Sequence, residues 1–349
     1  MRRRLISAVF SIFITLLFLL CLELFFRLYP FKRPAHEKLF GDIYSVELSM
    51  LPNAINPYYP LGLEVLNRYG FRGRAVELQK PVETFRIICL GDSVTFGAVS
   101  RADQTYPAYL EQMLAQRFKS SKFEVINGGI PGTNIYQHIM ILQGNLLRFN
   151  PDMVIVWSSA NFMKQVKDYR DMLANPPWHW KLRRLLRHSA LYRQMLQWIK
   201  GGPREKASFE ILNQLRQKKA AEETLVPHMW ESYMSDYRQD IIQLKELSIR
   251  YGFQLVFTDY PSRYSVLENP GRESFPEQIL REFCRENGLL YIDITTPLSA
   301  IADESFYSDP IHPTAIGNKA IAKIIMDSLI ANGKLPTIPS EKLSSTVSP

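Results

Sequence analysis

A three-layer α/β/α fold, built on a five-stranded parallel sheet of the doubly wound, flavodoxin-like kind, is what this sequence predicts. Two observations carry the prediction. Five short apolar runs alternate with stretches whose apolar residues recur at helical spacing, which is the pattern of successive βαβ units. The composition, 46% hydrophobic and 22% charged over 349 residues, supports a packed body rather than a disordered chain.

The strands are expected at residues 85–90, 123–127, 153–157, 254–258 and 290–294. Helices are expected at residues 106–118, with Leu110, Met113 and Leu114 on one face, and at 135–149, about 230–250, 276–287 and 314–332. Gly288 is the stop signal of the fourth of these. In such a sheet, ligands bind outside the carboxyl ends of the strands. Chemistry is therefore expected in the loops that follow the strands.

Ahead of this body, Arg2, Arg3 and Arg4 lead into a run from Leu5 to Leu22 that is apolar except for Ser7, Ser11 and Thr15. With Leu24, Phe25 and Phe26 beyond Glu23, the run is long enough to span a hydrocarbon core as a helix. No small-residue cleavage site follows it, and Leu20 rather than a small residue precedes Cys21. The run therefore reads as an uncleaved signal anchor rather than a removed leader or a lipid-modified cysteine. The arginine cluster places the N-terminus in the cytoplasm, although Arg27, Lys32, Arg33 and Lys38 flank the other end. The expectation is a single-pass protein of the cytoplasmic (inner) membrane with a periplasmic body. Its parts are an anchor at 1–29, a juxtamembrane segment at 30–80, the α/β body at 81–335 and a disordered tail at 336–349.

The formal net charge of +8 favours anionic partners such as a headgroup surface. No zinc-finger, RRM or KH pattern is present, so a nucleic-acid partner is not expected. Cys21, Cys89 and Cys284 make neither a disulfide framework nor a metal-ligand spacing. Cys89 and Cys284 read as small buried hydrophobes.

Four loop motifs carry the candidate chemistry. Gly91-Asp92-Ser93-Val94-Thr95-Phe96-Gly97 sits where the first strand turns into a helix. Such a turn pushes a serine hydroxyl outward and aims backbone N–H groups at an anion. Taken alone, the motif reads first as a turn or helix cap. Ser308-Asp309-Pro310-Ile311-His312-Pro313 precedes the last helix. There, Asp309 can fix the tautomer of His312, as a general base requires. Asn127-Gly128-Gly129-Ile130-Pro131-Gly132-Thr133-Asn134 follows the second strand, and its glycines let a backbone N–H approach a reacting atom. Trp157-Ser158-Ser159-Ala160-Asn161 follows the third strand and offers an amide donor.

Together and in this order, the four motifs resemble the blocks of the SGNH (GDSL-type) hydrolase family, in its bacterial, N-terminally anchored form. The resemblance runs from about Arg86 to Ile325. It implies Ser93 as nucleophile and His312 and Asp309 as base and orienting carboxylate. It also implies Ser93, Gly132 and Asn161 as oxyanion donors, with Gly129 as the alternative glycine. The third block departs from the family's Gly-x-Asn-Asp: here it is Ser159-Ala160-Asn161-Phe162. What the resemblance implies is an esterase or acyl hydrolase working through an acyl-enzyme, with no metal and no organic cofactor. An acyltransferase of envelope polysaccharide using the same residues, or a catalytically degenerate binding scaffold, are the alternatives. The expected substrate is an ester-bearing lipid or glycan.

The connection between the third and fourth strands is far longer than a crossover needs. Residues 162–235 read as a helical insertion. Within it, residues 181–200 place Leu182, Leu185, Leu186, Tyr192, Leu196 and Ile199 at helical spacing, with Arg183, Arg184 and Arg187 off that side and tryptophans near both ends. Such a helix either lies in a membrane interface or packs as a cap on the domain.

Overall fold

The computed structural model describes residues 2–29, 66–119, 122–157, 178, 182, 186, 189–192, 195, 227–271 and 273–336. Its elements are α1 (Arg2–Leu28), β1 (Phe85–Gly91), α2 (Ser93–Phe96), α3 (Tyr106–Phe118), β2 (Phe123–Gly129), α4 (Ile135–Ile141), β3 (Met153–Trp157), α5 (Pro227–Tyr251), β4 (Gln254–Thr258), α6 (Phe275–Glu286), β5 (Leu290–Ile292), α7 (Thr295–Ser299) and α8 (Ala315–Ala331). The anticipated five-stranded parallel sheet is present, in the order β2-β1-β3-β4-β5.

The apolar runs are nearly continuous because the sheet is covered on both faces. Their side chains still alternate. Ile88, Leu90, Val154, Val156, Leu255 and Phe257 point to one side, where they meet Leu142 and, from α5, Tyr237, Ile241 and Leu244. Ile87, Cys89, Met153, Ile155, Trp157 and Val256 point to the other, where they meet Leu110 and Leu114 of α3 and Ile321, Ile325 and Leu329 of α8. These are the three layers. Cys89 and Cys284 are both buried and unbridged.

The chain goes from β1 out to β2, then crosses back past β1 to β3. The carboxyl ends of β1 and β3 therefore flank the point where the winding reverses, which is where such sheets bind ligands.

Three local features differ from the sequence pattern. The predicted helix at 135–149 is α4 followed by a π-helical turn, Leu142–Leu146, and a 3₁₀ turn, Leu147–Phe149. Gly144, the weakest helix former in the run, lies in the widened turn. The fifth strand stops at Ile292, because the N–H groups of Ile294 and Thr295 turn to the Asp259 carboxylate at 2.9 and 2.8 Å. The end of the juxtamembrane segment also joins the core. Leu66, Phe71 and Val76 are buried, and Tyr69 and Phe71 set their rings edge-on to Phe149, with centroids 5.0 and 6.1 Å apart.

At the amino edge of the sheet, Arg86 is fully buried. Its guanidinium donates to Glu124 Oε2 at 2.6 and 2.8 Å and to the Phe149 carbonyl at 2.5 Å. Removing one partner of such a pair strands the other charge in the interior. Arg86→Met is therefore expected to lower the unfolding free energy by roughly 3–5 kcal/mol, read from the denaturant midpoint of the detergent-solubilised chain. A loss no larger than that of a surface substitution would mean that water or Arg74, whose guanidinium lies 3.9 Å from the other Glu124 oxygen, compensates the charge.

Candidate active site

β1 delivers its last residue, Gly91, to the reversal point. The next residue, Asp92, caps α2: its buried carboxylate accepts the Val94 N–H at 3.0 Å. The single helical turn that follows begins with Ser93 and closes with the N–H of Gly97 on the Ser93 and Val94 carbonyls, both at 3.0 Å. The cap function that the sequence left open for this motif thus falls to Asp92, and the hydroxyl of Ser93 is left to other work.

That hydroxyl meets the final loop. Ser93 Oγ lies 2.9 Å from His312 Nε2, and His312 Nδ1 lies 2.6 Å from Asp309 Oδ2. The second carboxylate oxygen of Asp309 accepts the N–H groups of Ile311 and His312 at 2.8 and 2.9 Å. With Nδ1–H donating to Asp309, the neutral ring presents Nε2 as an acceptor to the serine O–H. Burial pushes the Asp309 carboxyl upward. The hydrogen bonds from the His312 ring and from the two backbone N–H groups outweigh this and bring it down to about 2.

The loop that carries this pair is braced at both ends. Tyr307 and Pro313 form an isolated bridge, the Tyr307 hydroxyl donates to the Pro261 carbonyl at 2.7 Å, and the Arg263 N–H donates to the Pro310 carbonyl at 3.0 Å. From α8, the Asn318 amide donates to Ser100 Oγ at 3.0 Å, which ties the last helix to the segment after α2.

The loop after β2 is pinned to β1. The Ile130 N–H donates to the Gly91 carbonyl at 2.9 Å, and the Thr133 hydroxyl donates to the Ile130 carbonyl at 2.7 Å. His138 Nε2 stands 3.0 Å from that hydroxyl, and burial drives the His138 pKa down to about 3. The ring is thus neutral, and its Nε2–H serves Thr133. Gly132 sits in this loop at φ +78°, a conformation open to glycine and costly for other residues. Gly129 meets a different demand. A Cβ there would stand 2.2 Å from the Phe96 nitrogen and 2.7 Å from the Thr95 carbonyl carbon, so the end of β2 lies flush against the backbone of α2.

Of the five residues predicted for the site, Ser93, His312 and Asp309 come together in one hydrogen-bonded series. Gly132 lies in the adjoining loop. Asn161 lies outside the described residues, as does most of the insertion.

One contributor has no sequence signal of its own. Arg72, 2% exposed, donates to the Phe96 carbonyl at 2.8 Å and also to the carbonyls of Gly97 and Ser100. Its guanidinium lies 4.8 Å from the centroid of the Phe96 ring. A cation here answers carbonyls at and just beyond the end of α2 that have no partner within that single turn. Its partners are 24 to 28 residues away in sequence, so no local pattern reveals it.

A hydroxyl, an imidazole and a carboxylate in series at the carboxyl edge of an α/β sheet define a serine hydrolase. The model of the GDSL-like lipase/acylhydrolase family matches residues 89–320, and the chain belongs to that family of ester-hydrolysing enzymes. Similar solved structures include an acetyl xylan esterase from Geobacillus stearothermophilus, at 13% identity over 71% of this chain and 97% of that chain, with TM-score 0.44. A GDSL-like lipase from Bacteroides thetaiotaomicron matches at 13% identity over 73% and 92%, with TM-score 0.39. A two-domain esterase active on acetylated mannans matches at 16% identity over 74% and 53%, with TM-score 0.44. A search of curated proteins gave no match.

The contact between Gly129 and α2 generates a test. Gly129→Ala must displace the turn that holds Ser93, and a shift of the order of 1 Å at a reacting group costs about 10²-fold. The rate at which a fluorophosphonate labels the full-length chain is expected to fall by about that factor. An unchanged rate would mean that α2 does not rest on this glycine.

Proposed function

We propose that this chain is a membrane-anchored acyl hydrolase that cleaves an ester-linked acyl group from a lipid, glycan or other envelope molecule through an acyl-enzyme on Ser93. The observation that supports this most directly is the series from Ser93 Oγ through the two His312 nitrogens to Asp309, with steps of 2.9 and 2.6 Å.

In the first step, His312 Nε2 takes the hydroxyl proton as Ser93 Oγ attacks the ester carbonyl. The Asp309 carboxylate steadies the imidazolium that forms. The tetrahedral oxyanion is received by the N–H groups of Ser93 and Gly132 and by the Asn161 amide, and each such donor is worth about 3 kcal/mol of barrier. His312 returns its proton to the departing alcohol, which leaves an acyl ester on Ser93. Water then gives a proton to His312 and attacks that ester, and His312 returns the proton to Ser93 Oγ as the acid departs. Metal ions and organic cofactors have no step to perform.

In this reading, α1 is the anchor. It carries a 20-residue apolar window, Val9–Leu28, with mean hydropathy 2.6, and its side chains are largely exposed. The arginines at its start hold that end in the cytoplasm, which puts the catalytic body on the outer side of the membrane.

Full-length protein in detergent is expected to hydrolyse p-nitrophenyl acetate and to form a fluorophosphonate adduct, and Ser93→Ala is expected to lose both. Adduct formation with negligible ester hydrolysis, and transfer of the acetyl group of p-nitrophenyl acetate only when a sugar acceptor is added, would replace water with an acceptor hydroxyl and make the chain an acyltransferase. Neither adduct nor turnover in the parent chain would leave a binding scaffold.

Asp309 gives a second prediction. Asp309→Asn removes the carboxylate that selects the Nδ1–H tautomer, and kcat at neutral pH is expected to fall by about 10⁴-fold. Because folding lowers the Asp309 pKa from 3.8 to about 2, its contribution to stability is present above the ordinary carboxylate value. That contribution disappears as the pH falls through about 2. The variant should lack this portion of acid destabilisation, measured as the unfolding midpoint between about pH 4 and 2. An identical acid profile would sink the assignment.

A further inference from the structure

Glu23 is out of place by composition. It stands inside the apolar part of α1, where a carboxylate in contact with hydrocarbon is costly. The structure supplies it with four donors. Arg27 Nε lies 2.8 Å from one carboxylate oxygen. The other three donors come from the insertion, more than 160 residues away in sequence: the Ser189 hydroxyl at 2.7 Å, the Ala190 N–H at 2.9 Å and the Leu191 N–H at 3.0 Å. Ser189 also accepts the Tyr192 N–H at 3.1 Å, so it caps the helical turn whose first N–H groups hold Glu23. Ala190 is buried at this contact level, as is Phe26 of α1.

The contact has a definite depth. From Arg4 to Glu23, a helix rises about 28 Å at roughly 1.5 Å per residue, close to the ~30 Å of a hydrocarbon core. If the arginines mark the inner boundary, Glu23 stands at the outer one. The insertion is therefore fastened to the anchor at the level where acyl chains give way to headgroups.

Just before this fastening lie Trp178, Leu182 and Leu186. All three are helical, and they are 75%, 45% and 38% exposed. A spacing of four residues puts them on one face, and that face runs into the fastening, because the Ser189 N–H donates to the Leu186 carbonyl at 2.9 Å. Of the two readings open for this insertion in the sequence, a cap packed on the domain would bury these side chains.

We propose that the Trp178–Leu182–Leu186 face lies in the interfacial layer of the bilayer that α1 crosses, and that Glu23 is the positioning residue that holds it there. The occupant of the face is lipid at the boundary of headgroup and acyl chain, where an exposed tryptophan and leucines gain most. This rests on α1 being a membrane anchor, and the experiment separates the two ideas.

The test uses the full-length chain with Cys21→Ser, since Cys89 and Cys284 are buried. It carries Leu182→Cys labelled with an NBD fluorophore and is reconstituted into phosphatidylcholine–phosphatidylglycerol vesicles, with or without lipids bearing a nitroxide near the headgroup. Co-flotation with the vesicles reports on the anchor alone, and its failure would remove that reading. Given flotation, the nitroxide is expected to quench NBD at position 182 several-fold more than NBD at Lys323→Cys, a site on the exposed surface of α8. Glu23→Ala, with unchanged circular dichroism and flotation, should bring the two sites close to each other. Equal quenching at both sites in the parent chain would overturn the interfacial placement. Strong quenching at 182 that survives Glu23→Ala would overturn the role of Glu23.

Discussion

The Asp309 carboxylate is the fixed point to which the site is referred. One of its oxygens closes the turn of its own loop through two backbone N–H groups, and the other takes the ring N–H of His312. Loop shape and ring orientation are therefore set by a single group. If the carboxylate turned, the imidazole would lose its direction and the loop its closure. What Ser93 needs from the rest of the fold is a position. That position is set by β1, whose buried residues are shared between both faces of the sheet.

The two ends of the sheet use buried polarity differently. At the amino edge, Arg86 and Glu124 neutralise each other within the core, with the exposed Arg74 guanidinium 3.9 Å from the second Glu124 oxygen. At the carboxyl edge, Arg72, Asn318, Thr133 and His138 hold backbone and hydroxyl groups around one serine. Buried polar contacts of this kind favour one arrangement, because breaking any of them would leave a further desolvated group behind. The stiffness is concentrated where an attacking oxygen needs an exact approach.

Much of this was legible in the chain, for identifiable reasons. The strands and α3 follow the apolar pattern because each is short and bounded by glycine, proline or a cap such as Thr105. The Ser93 and Asp309–His312 motifs could be found because each is confined to a few consecutive residues. Arg72 could not, since its role exists only once residues far along the chain fold back over it. The break after Ile141 was also hidden: periodicity continues through Gly144, and Leu142 and Leu146 are buried in the widened turn as they would be in a regular helix. The five-residue α7 carries too little pattern to register, and its start is fixed by Asp259, the residue that follows β4.

The residues around Leu66, Phe71 and Arg72 precede the stretch that matches the family model, yet they are built into the enzyme's interior. Bringing them into the body extends the working part of the chain upstream of that match. A body expressed from residue 81 onward would lack the guanidinium that holds the carbonyls at the end of α2, and the turn that carries Ser93 would lose its brace.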